Sequence, residues 1–353
     1  MDERWIIDLE ERVLVTGASG FLGARVVRAM LDYGFRNIRC FVRPSTKMTR
    51  LQKAILEASN HRTTDVFTGN LFSMEDCKRA VQDVSVIYHL AVGPSGKSFP
   101  SAFLNTVVPT RNLLDASVRQ GSIKRFVNIS SFAVYSNRNK PIRTLLDESC
   151  PIEKHPERRA DAYAFAKLKQ DDIVIECAKE HGLGYVILRP GVVYGPGKDS
   201  ITGRVGIDTF GKFLHLGGEN KVPFTYVDNC ADAILLAGVV RGADGEVFNV
   251  VDDDLPTSRQ FLRSFKENVK RFSSVYVPHA VSYALCYLWE KYSDLSEGQL
   301  PLVFSRSKWH AYWKRTNYTN QKLKSKLGWS PRVPTGEALR RYFESCRGRK
   351  THA

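Results

Sequence analysis

The sequence predicts a doubly wound α/β fold, a parallel sheet covered by helices with a smaller lobe beyond it, and two observations carry that expectation. From residue 11 to 190, short β-branched runs alternate with longer amphipathic runs, the pattern of repeated βα units. After residue 190 the rhythm breaks into a Gly- and Pro-rich stretch and then a basic, aromatic-rich tail, which reads as a discontinuous second lobe. A chain of 353 residues has room for roughly two domains or one enlarged one.

Strands are expected at 12–16, 37–42, 65–68, 84–91, 125–131 and 184–189, with helices at 20–33, 73–82, 98–119 and 162–181 between them, because parallel pairing needs crossovers. His181-Gly182 supplies the stop for the last of these helices. Residues 137–159, interrupted by Pro141, Pro151 and Pro156, read as a surface loop. The first domain is expected to span 1–190, with a helix near 229–240 and a strand at 246–250 returning to it from within 225–255. The second lobe takes 191–345, and 346–353 reads as a frayed tail.

A composition of 43% hydrophobic and 25% charged residues is that of an ordinary globular chain and excludes disordered, collagenous and disulfide-scaffold classes. The seven cysteines are scattered, odd in number and never spaced Cys-x-x-Cys, so neither a disulfide framework nor a zinc site is expected, and no metal. Five acidic residues in positions 1–11 are unlike a secretory signal, and no apolar run is long enough to span a bilayer. A soluble cytoplasmic protein without stable membrane insertion is the expectation. Lys plus Arg exceed Asp plus Glu by 52 − 37 = 15, which favours an anionic partner such as a phosphorylated cofactor or substrate, nucleic acid or an acidic membrane face. No basic stripe interleaved with aromatics appears, so nucleic acid is not expected.

The stretch Val15-Thr16-Gly17-Ala18-Ser19-Gly20-Phe21-Leu22-Gly23 sets three glycines at spacing three and three, after an apolar strand and at the opening of a helix. Gly17 permits a tight turn, Gly20 lets backbone N–H groups approach a pyrophosphate, and Gly23 allows close helix–sheet packing. The second strand runs into Arg43 where an NAD-selective site would present a carboxylate to the ribose, and Lys47 and Arg50 follow. Such cations pair with a 2′-phosphate, so NADP is favoured over NAD; a merely solvated Arg43 is the plain alternative. Leu90 and Ala91 end the fourth strand with little bulk and let its backbone approach the nicotinamide ribose, while His89 beside them reads as a packed core residue and not as a catalyst.

Tyr163-Ala164-Phe165-Ala166-Lys167 places a phenol and an amine one helical turn apart on one face. A neighbouring ammonium stabilises a phenolate, so this pair is the candidate acid/base, with the phenol pKa expected to be pulled down. Ser131, at the carboxyl edge of the fifth strand, is placed to hydrogen-bond a substrate oxygen.

With these pieces in order, the sequence resembles the extended short-chain dehydrogenase/reductase family, also described as the NAD-dependent epimerase/dehydratase or 3β-hydroxysteroid dehydrogenase-like group. The matching pieces are the glycine turn, His89-Leu90-Ala91, Asn105 ahead of Thr110-Arg111-Asn112-Leu113-Leu114, Ser130-Ser131, Tyr163 with Lys167, Arg189-Pro190-Gly191-Val192-Val193-Tyr194-Gly195, and Tyr226-Val227-Asp228-Asn229. The resemblance implies a Rossmann fold and hydride transfer, with Tyr163 as acid/base, Lys167 holding the nicotinamide ribose, Ser131 polarising the reacting oxygen and Asn105 positioning the site. It also implies that Pro190 and Val193 pass beside the nicotinamide, that Asn70-Leu71 meets adenine where an acid is usual, and that the protein is a homodimer. Arg204 and Lys221 are candidates for the diphosphate clamp of members acting on nucleotide sugars, though the surrounding motif is not clean.

Three readings stand. The leading one is an NAD(P)-dependent oxidoreductase acting on a ketone or secondary alcohol; the others are a nucleotide-sugar epimerase or dehydratase with tightly held NAD, and a non-catalytic dinucleotide-sensing protein. Gly195 to Gly218, with seven glycines, is expected to be a mobile lid. The aromatics Tyr283, Tyr287, Trp289, Phe304, Trp309, Tyr312 and Trp313 fit either core packing or the lining of a bulky apolar pocket, and Lys314-Arg315 and 347–350 are expected to be solvated.

Overall fold

Val13, Leu14 and Val15 carry no exposed surface, and the strand they form lies inside the sheet with a neighbour on each side. The computed structural model describes residues 3–348 apart from 59–63, 94–97, 160, 210, 297–298, 300–301 and 303. The chain begins β1 (Arg12–Thr16), α1 (Phe21–Tyr33), β2 (Ile38–Val42), α2 (Thr49–Leu56), β3 (Asp65–Thr68), α3 (Met74–Ala80), β4 (Val84–His89), α4 (Phe99–Gln120) and β5 (Arg125–Ile129). It continues with β6 (Leu145–Leu146), α5 (Ala162–His181), β7 (Tyr185–Pro190), β8 (Val192–Tyr194), β9 (Gly206–Thr209), β10 (Lys212–His215), β11 (Phe224–Tyr226), α6 (Val227–Val239) and β12 (Val247–Val250). The remainder is α7 (Ser258–Asn268), β13 (Ser274–Tyr276), α8 (His279–Leu295), α9 (Arg306–Tyr312), β14 (Asn317–Tyr318), α10 (Gln321–Leu327) and α11 (Thr335–Gly348).

Seven parallel strands form the main sheet in the order β12-β7-β5-β4-β1-β2-β3. Alternation along β1 sends Val13 and Val15 into a core shared with α1 and α6, and Leu14 into the opposite core beneath α3, α4 and α5. Strand order reverses between β1 and β4, which creates the crevice at their carboxyl ends where ligands bind in such sheets. Residues 90–91 and 130–131, expected to continue strands, lie past the end of the ladder; Leu90 and Ala91 line that crevice, while Ser130 turns its hydroxyl inward to the buried Asp171.

Helix α2 was not expected: it buries only Leu51 and Ala54, too few residues to write an amphipathic stripe. The segment expected to be a plain surface loop is held at several points. β6 pairs with β14, and Arg159, 1% exposed, donates to the carbonyls of Ala133 and Tyr135 and to the Glu153 carboxylate. Lys314, expected to be solvated, is buried, and its ammonium donates to the carbonyls of Asn137 and Lys140 in this same segment. A lysine that replaces water with fixed carbonyls staples the segment from a distance no local pattern encodes.

The glycine-rich stretch 195–218, expected to be a mobile lid, forms β9 and β10, an antiparallel pair that also joins β13, with Val205 and Phe213 buried. Helix α11 runs to Gly348 and buries Cys346, so the tail expected to fray from 346 is still packed there, and 349–353 lie outside the described residues.

Arg125 fixes α6 to the sheet. Its fully buried guanidinium pairs with both Asp244 oxygens at 2.8 and 2.7 Å and donates to the last carbonyls of α6 at Ala237, Gly238 and Val240. Replacing it strands those acceptors in a dry core. Arg125→Leu is expected to cost about 3–5 kcal/mol of unfolding free energy in urea titration, whereas Asp244→Asn, whose side chain is half exposed, should cost no more than about 1 kcal/mol. Equal costs would contradict the assignment of the lock to the arginine.

Candidate active site

The glycine turn is built around close approaches. Gly17 has φ +70, and a Cβ there would come within 2.9 Å of the Ala91 nitrogen. A Cβ on Gly23 would come within 2.1 Å of the Gly17 carbonyl oxygen, backbone against backbone. Gly20 caps α1 in extended conformation with no side-chain cap, and no acid stands in the first turn. The leading N–H groups and the positive end of the helix dipole are therefore left to an external anion, which is what a bound pyrophosphate requires. Phe21 packs against the core of the smaller lobe, and Leu22 against that core and the core between α1 and α6.

A cleft of about 400 Å³ starts at this turn, where Gly17, Ser19 and Gly20 line it. Arg43, Lys47 and Arg50 line it beyond β2, Asn70 and Leu71 after β3, and Leu90, Ala91 and Asn105 on the side of β4 and α4. Asn112, in α4, holds the turn after β3 by donating to the carbonyls of Leu71 and Phe72. Asn70 shapes that turn as well, since its Oδ1 accepts the Phe72 N–H and its own N–H donates to Asp76. Pro190 is buried at the end of β7, and Val193 on β8 pairs with Thr225 on β11. The cleft has the cradle, the open helix end and the length of groove that a dinucleotide needs, so these residues fit the cofactor.

Beside the cleft, the two serines after β5 take different partners. Ser130 Oγ donates to Asp171 Oδ2 at 2.8 Å, while Ser131 Oγ accepts the Ala133 N–H and stands near enough to the Tyr163 phenol to draw its pKa down. Asp161 caps α5 by accepting the Ala164 N–H, which sets Tyr163 in the first turn of that helix, and Tyr163 keeps 36% of its surface exposed with its hydroxyl end beside Ser131.

Lys167 is buried, and its ammonium donates to the Ile129 carbonyl at 2.6 Å and to Gln170 Oε1 at 2.8 Å. Gln170 Nε2 in turn donates to Thr110 Oγ1 at 2.9 Å. Thr110 gives its own proton to the Thr106 carbonyl, so it accepts from His89 Nε2 at 2.9 Å. That fixes the imidazole with its proton on Nε2 and leaves Nδ1 to accept from Thr16, whose oxygen also receives the Ala91 N–H. Burial first, and then the Lys167 charge, hold His89 down to about 3, so it stays neutral in this chain of bonds. The structure thus gives His89 the packed, bonded setting expected of it, and joins the lysine to the glycine turn through four side chains, Gln170, Thr110, His89 and Thr16.

One expectation is corrected. Burial pushes the Tyr163 phenol above its ordinary value, the Ser131 hydrogen bond draws it back, and the carboxylates Asp161 and Asp171 push it further up. Lys167 does not lower it, because the ammonium is turned to Ile129 and Gln170 and stands beside Asp171, while burial pulls its own pKa down to about 8. Asn105 lines the cleft with its side-chain amide bonded back to Ser101 in its own helix. Sequence reasoning missed Gln170 and Asp171. Their signal was there, three and four residues beyond Lys167 on one helix face, but their partners come from other elements.

The family model described as NAD dependent epimerase/dehydratase matches residues 13–250. The chain belongs to that family. A 3beta-hydroxysteroid-dehydrogenase/decarboxylase isoform 1 from Arabidopsis thaliana is 24% identical over 97% of this chain and 80% of its own length. The 2-alkyl-3-oxoalkanoate reductase of Stenotrophomonas maltophilia is 26% identical over 94% of this chain and 98% of its own. Among solved structures, the Thermus thermophilus UDP-glucose 4-epimerase complex with NAD superposes with a TM-score of 0.67 at 22% identity, covering 96% of this chain and 99% of that one, a likeness of fold. As a member of the epimerase/dehydratase family, the protein is an NAD(P)-dependent oxidoreductase of the extended short-chain dehydrogenase/reductase type.

Gly23→Ala tests the cradle. The added methyl has no room short of moving the Gly17 carbonyl, so NADPH affinity in a fluorescence titration should fall at least about tenfold while circular dichroism stays that of the parent. An unchanged Kd would place the dinucleotide elsewhere.

Proposed function

We propose that the enzyme reduces a ketone to a secondary alcohol, or runs the reverse, with NADP(H), using Tyr163 as the proton-transfer group. When bound, the dinucleotide supplies or takes up the hydride. Ser131 donates a hydrogen bond to the reacting oxygen, and Tyr163 passes its phenolic proton to that oxygen as the carbonyl becomes an alcohol. A phenol held above its ordinary value is fully protonated at neutral pH and ready to donate. Lys167, anchored by Ile129 and Gln170, is the cation that binds the ribose beside the reacting carbon. Asn105 shapes the wall of the cleft opposite.

The observation that carries this reading is the pairing of the Ser131 hydroxyl with the Tyr163 phenol at the carboxyl edge of the sheet, next to the cleft that begins at the glycine turn. NADP is supported by Arg43, Lys47 and Arg50 lining the far part of the same cleft, where a 2′-phosphate would meet three cations. Seven free thiols, six of them buried, suit a reducing cytoplasmic setting, and a homodimer belongs to the same reading. The nucleotide-sugar alternative has less support. Arg204 donates to the Ala311 carbonyl and lies over the Tyr312 ring, while Lys221 lines a separate cleft with Glu219 and Arg315, so the two do not form one diphosphate clamp.

Tyr163→Phe should lower kcat for ketone reduction by about 10²–10⁴-fold with little change in NADPH affinity, and parental turnover would remove Tyr163 from the mechanism. Arg43→Glu should weaken NADPH at least about tenfold and improve NADH; an unchanged preference would detach Arg43 from the cofactor.

The pH profile follows from Lys167. Its ammonium is present below about 8 and lost above it, while the phenol remains protonated through that range. Reduction should therefore hold its rate at neutral pH and decline as pH rises through about 8. A reduction rate that climbs between pH 7 and 9 contradicts the role given to the lysine.

A further inference from the structure

Lys167 stands beside a carboxylate and makes no bond to it. Asp171, one turn further along α5, receives Asn128 on Oδ1 and both Ser130 and Arg189 on Oδ2, so its charge reaches the ammonium while its oxygens serve other donors. The lysine turns to an amide instead. Its Nζ donates to Gln170 Oε1 at 2.8 Å and to the Ile129 main-chain carbonyl at 2.6 Å. An ammonium carries three N–H groups, so two fixed bonds set the direction of the third, which is left without a partner among the described residues.

The amide can face only one way. Thr110 spends its hydroxyl proton on the Thr106 carbonyl at 2.7 Å, which leaves its oxygen to accept from Gln170 Nε2 and His89 Nε2, both at 2.9 Å. Turned over, Gln170 would set its amide N–H groups against an ammonium and its carbonyl against an oxygen with no proton to give. Gln170 and Thr110 have no exposed surface and Lys167 is 2% exposed, so water cannot stand in for either bond. A carboxylate at this position would have nothing to donate to Thr110, and an apolar side chain nothing to offer the lysine.

We propose, building on the ribose-binding role of Lys167, that Gln170 is a positioning residue whose amide aims the lysine ammonium and keeps it charged. The other groups around the ammonium do not combine these tasks. Asp171 supplies charge without a bond, and Arg189 from β7 opposes that charge. Tyr163, one turn earlier on α5, keeps its proton, and His89 from β4 is neutral. Strand β5 offers the uncharged Ile129 carbonyl, and α4 meets the far end of the amide through Thr110. Burial meanwhile works against the charged form. Without Gln170 the ammonium would keep a single bond, free to swing about it, in a setting that disfavours its charge.

The test reads the lysine directly. In the full-length protein without nucleotide, the ε-carbon NMR resonance of Lys167, assigned by its loss in Lys167→Arg, should titrate at about 8. Gln170→Leu, close in size, deletes the acceptor and should lower that midpoint by at least about one pH unit, the worth of one charged hydrogen bond. Gln170→Glu restores an acceptor and adds charge, so its midpoint should rise. Val174→Ala removes buried apolar bulk one turn further along α5 and should cost stability while leaving the midpoint in place. NADPH affinity in a fluorescence titration should fall above about 8 in the parent and about one pH unit earlier in Gln170→Leu. An unmoved midpoint in Gln170→Leu overturns the proposal and leaves the ribose role of Lys167 standing, as does a downward shift of equal size in Val174→Ala. Where the leucine variant does not fold, Gln170→Glu decides, and a midpoint that stays or falls is the overturning result. A parent NADPH affinity indifferent to pH between 7 and about 9 overturns the ribose role and the proposal with it.

Discussion

The buried run of hydrogen bonds from Lys167 through Gln170, Thr110 and His89 to Thr16 is the constraint on which the site depends. Each member has its partners within the protein, and each is hidden from water, so removing one leaves another polar group unmet at a cost of about 1–3 kcal/mol. The run spans α5, α4, β4 and β1. It therefore fixes the distance between the helix that carries Tyr163 and the turn that receives a pyrophosphate, two parts with different chemistry that have to work on the same molecule.

A second polar cluster supports the first. Asp171 accepts from Asn128, Ser130 and Arg189 and stands near Lys167, so β5 with the turn after it, β7 and α5 converge on one carboxylate. Burial raises its pKa while Arg189, Ser130 and Lys167 draw it down. By holding Ser130, it leaves Ser131 as the hydroxyl that meets the phenol.

Much of this was legible in the residues. The inner strands of the main sheet are buried on both faces, so they appear as short apolar runs, and their positions could be read although their carboxyl ends could not. Tyr163 and Lys167 announce themselves by spacing, and the glycine turn by its place between strand and helix. What spacing could not supply was the partner of each group. Gln170 meets Thr110 across 60 positions and His89 meets Thr16 across 73, so neither bond leaves a local pattern. The phenol pKa was misjudged for the same reason: the amine is visible one turn away, but its orientation toward Ile129 and Gln170 is a matter of packing. In the smaller lobe, β9, β10 and β13 pair across the chain and Lys314 reaches back to residues 137–140, which made both regions look like loops.

The main sheet is finished by a latecomer. Strand β7 ends at Pro190, yet its outer neighbour β12 begins only at Val247, after β8 to β11 and α6 have been laid down. While the chain is still being synthesised, the β7 edge therefore presents unpaired backbone donors and acceptors for the whole time that this intervening stretch emerges from the ribosome. Such an open edge invites strand exchange with a neighbouring nascent chain. The vulnerable period in the life of this protein is thus its birth, and chaperone demand should track how quickly the ribosome reaches Val250.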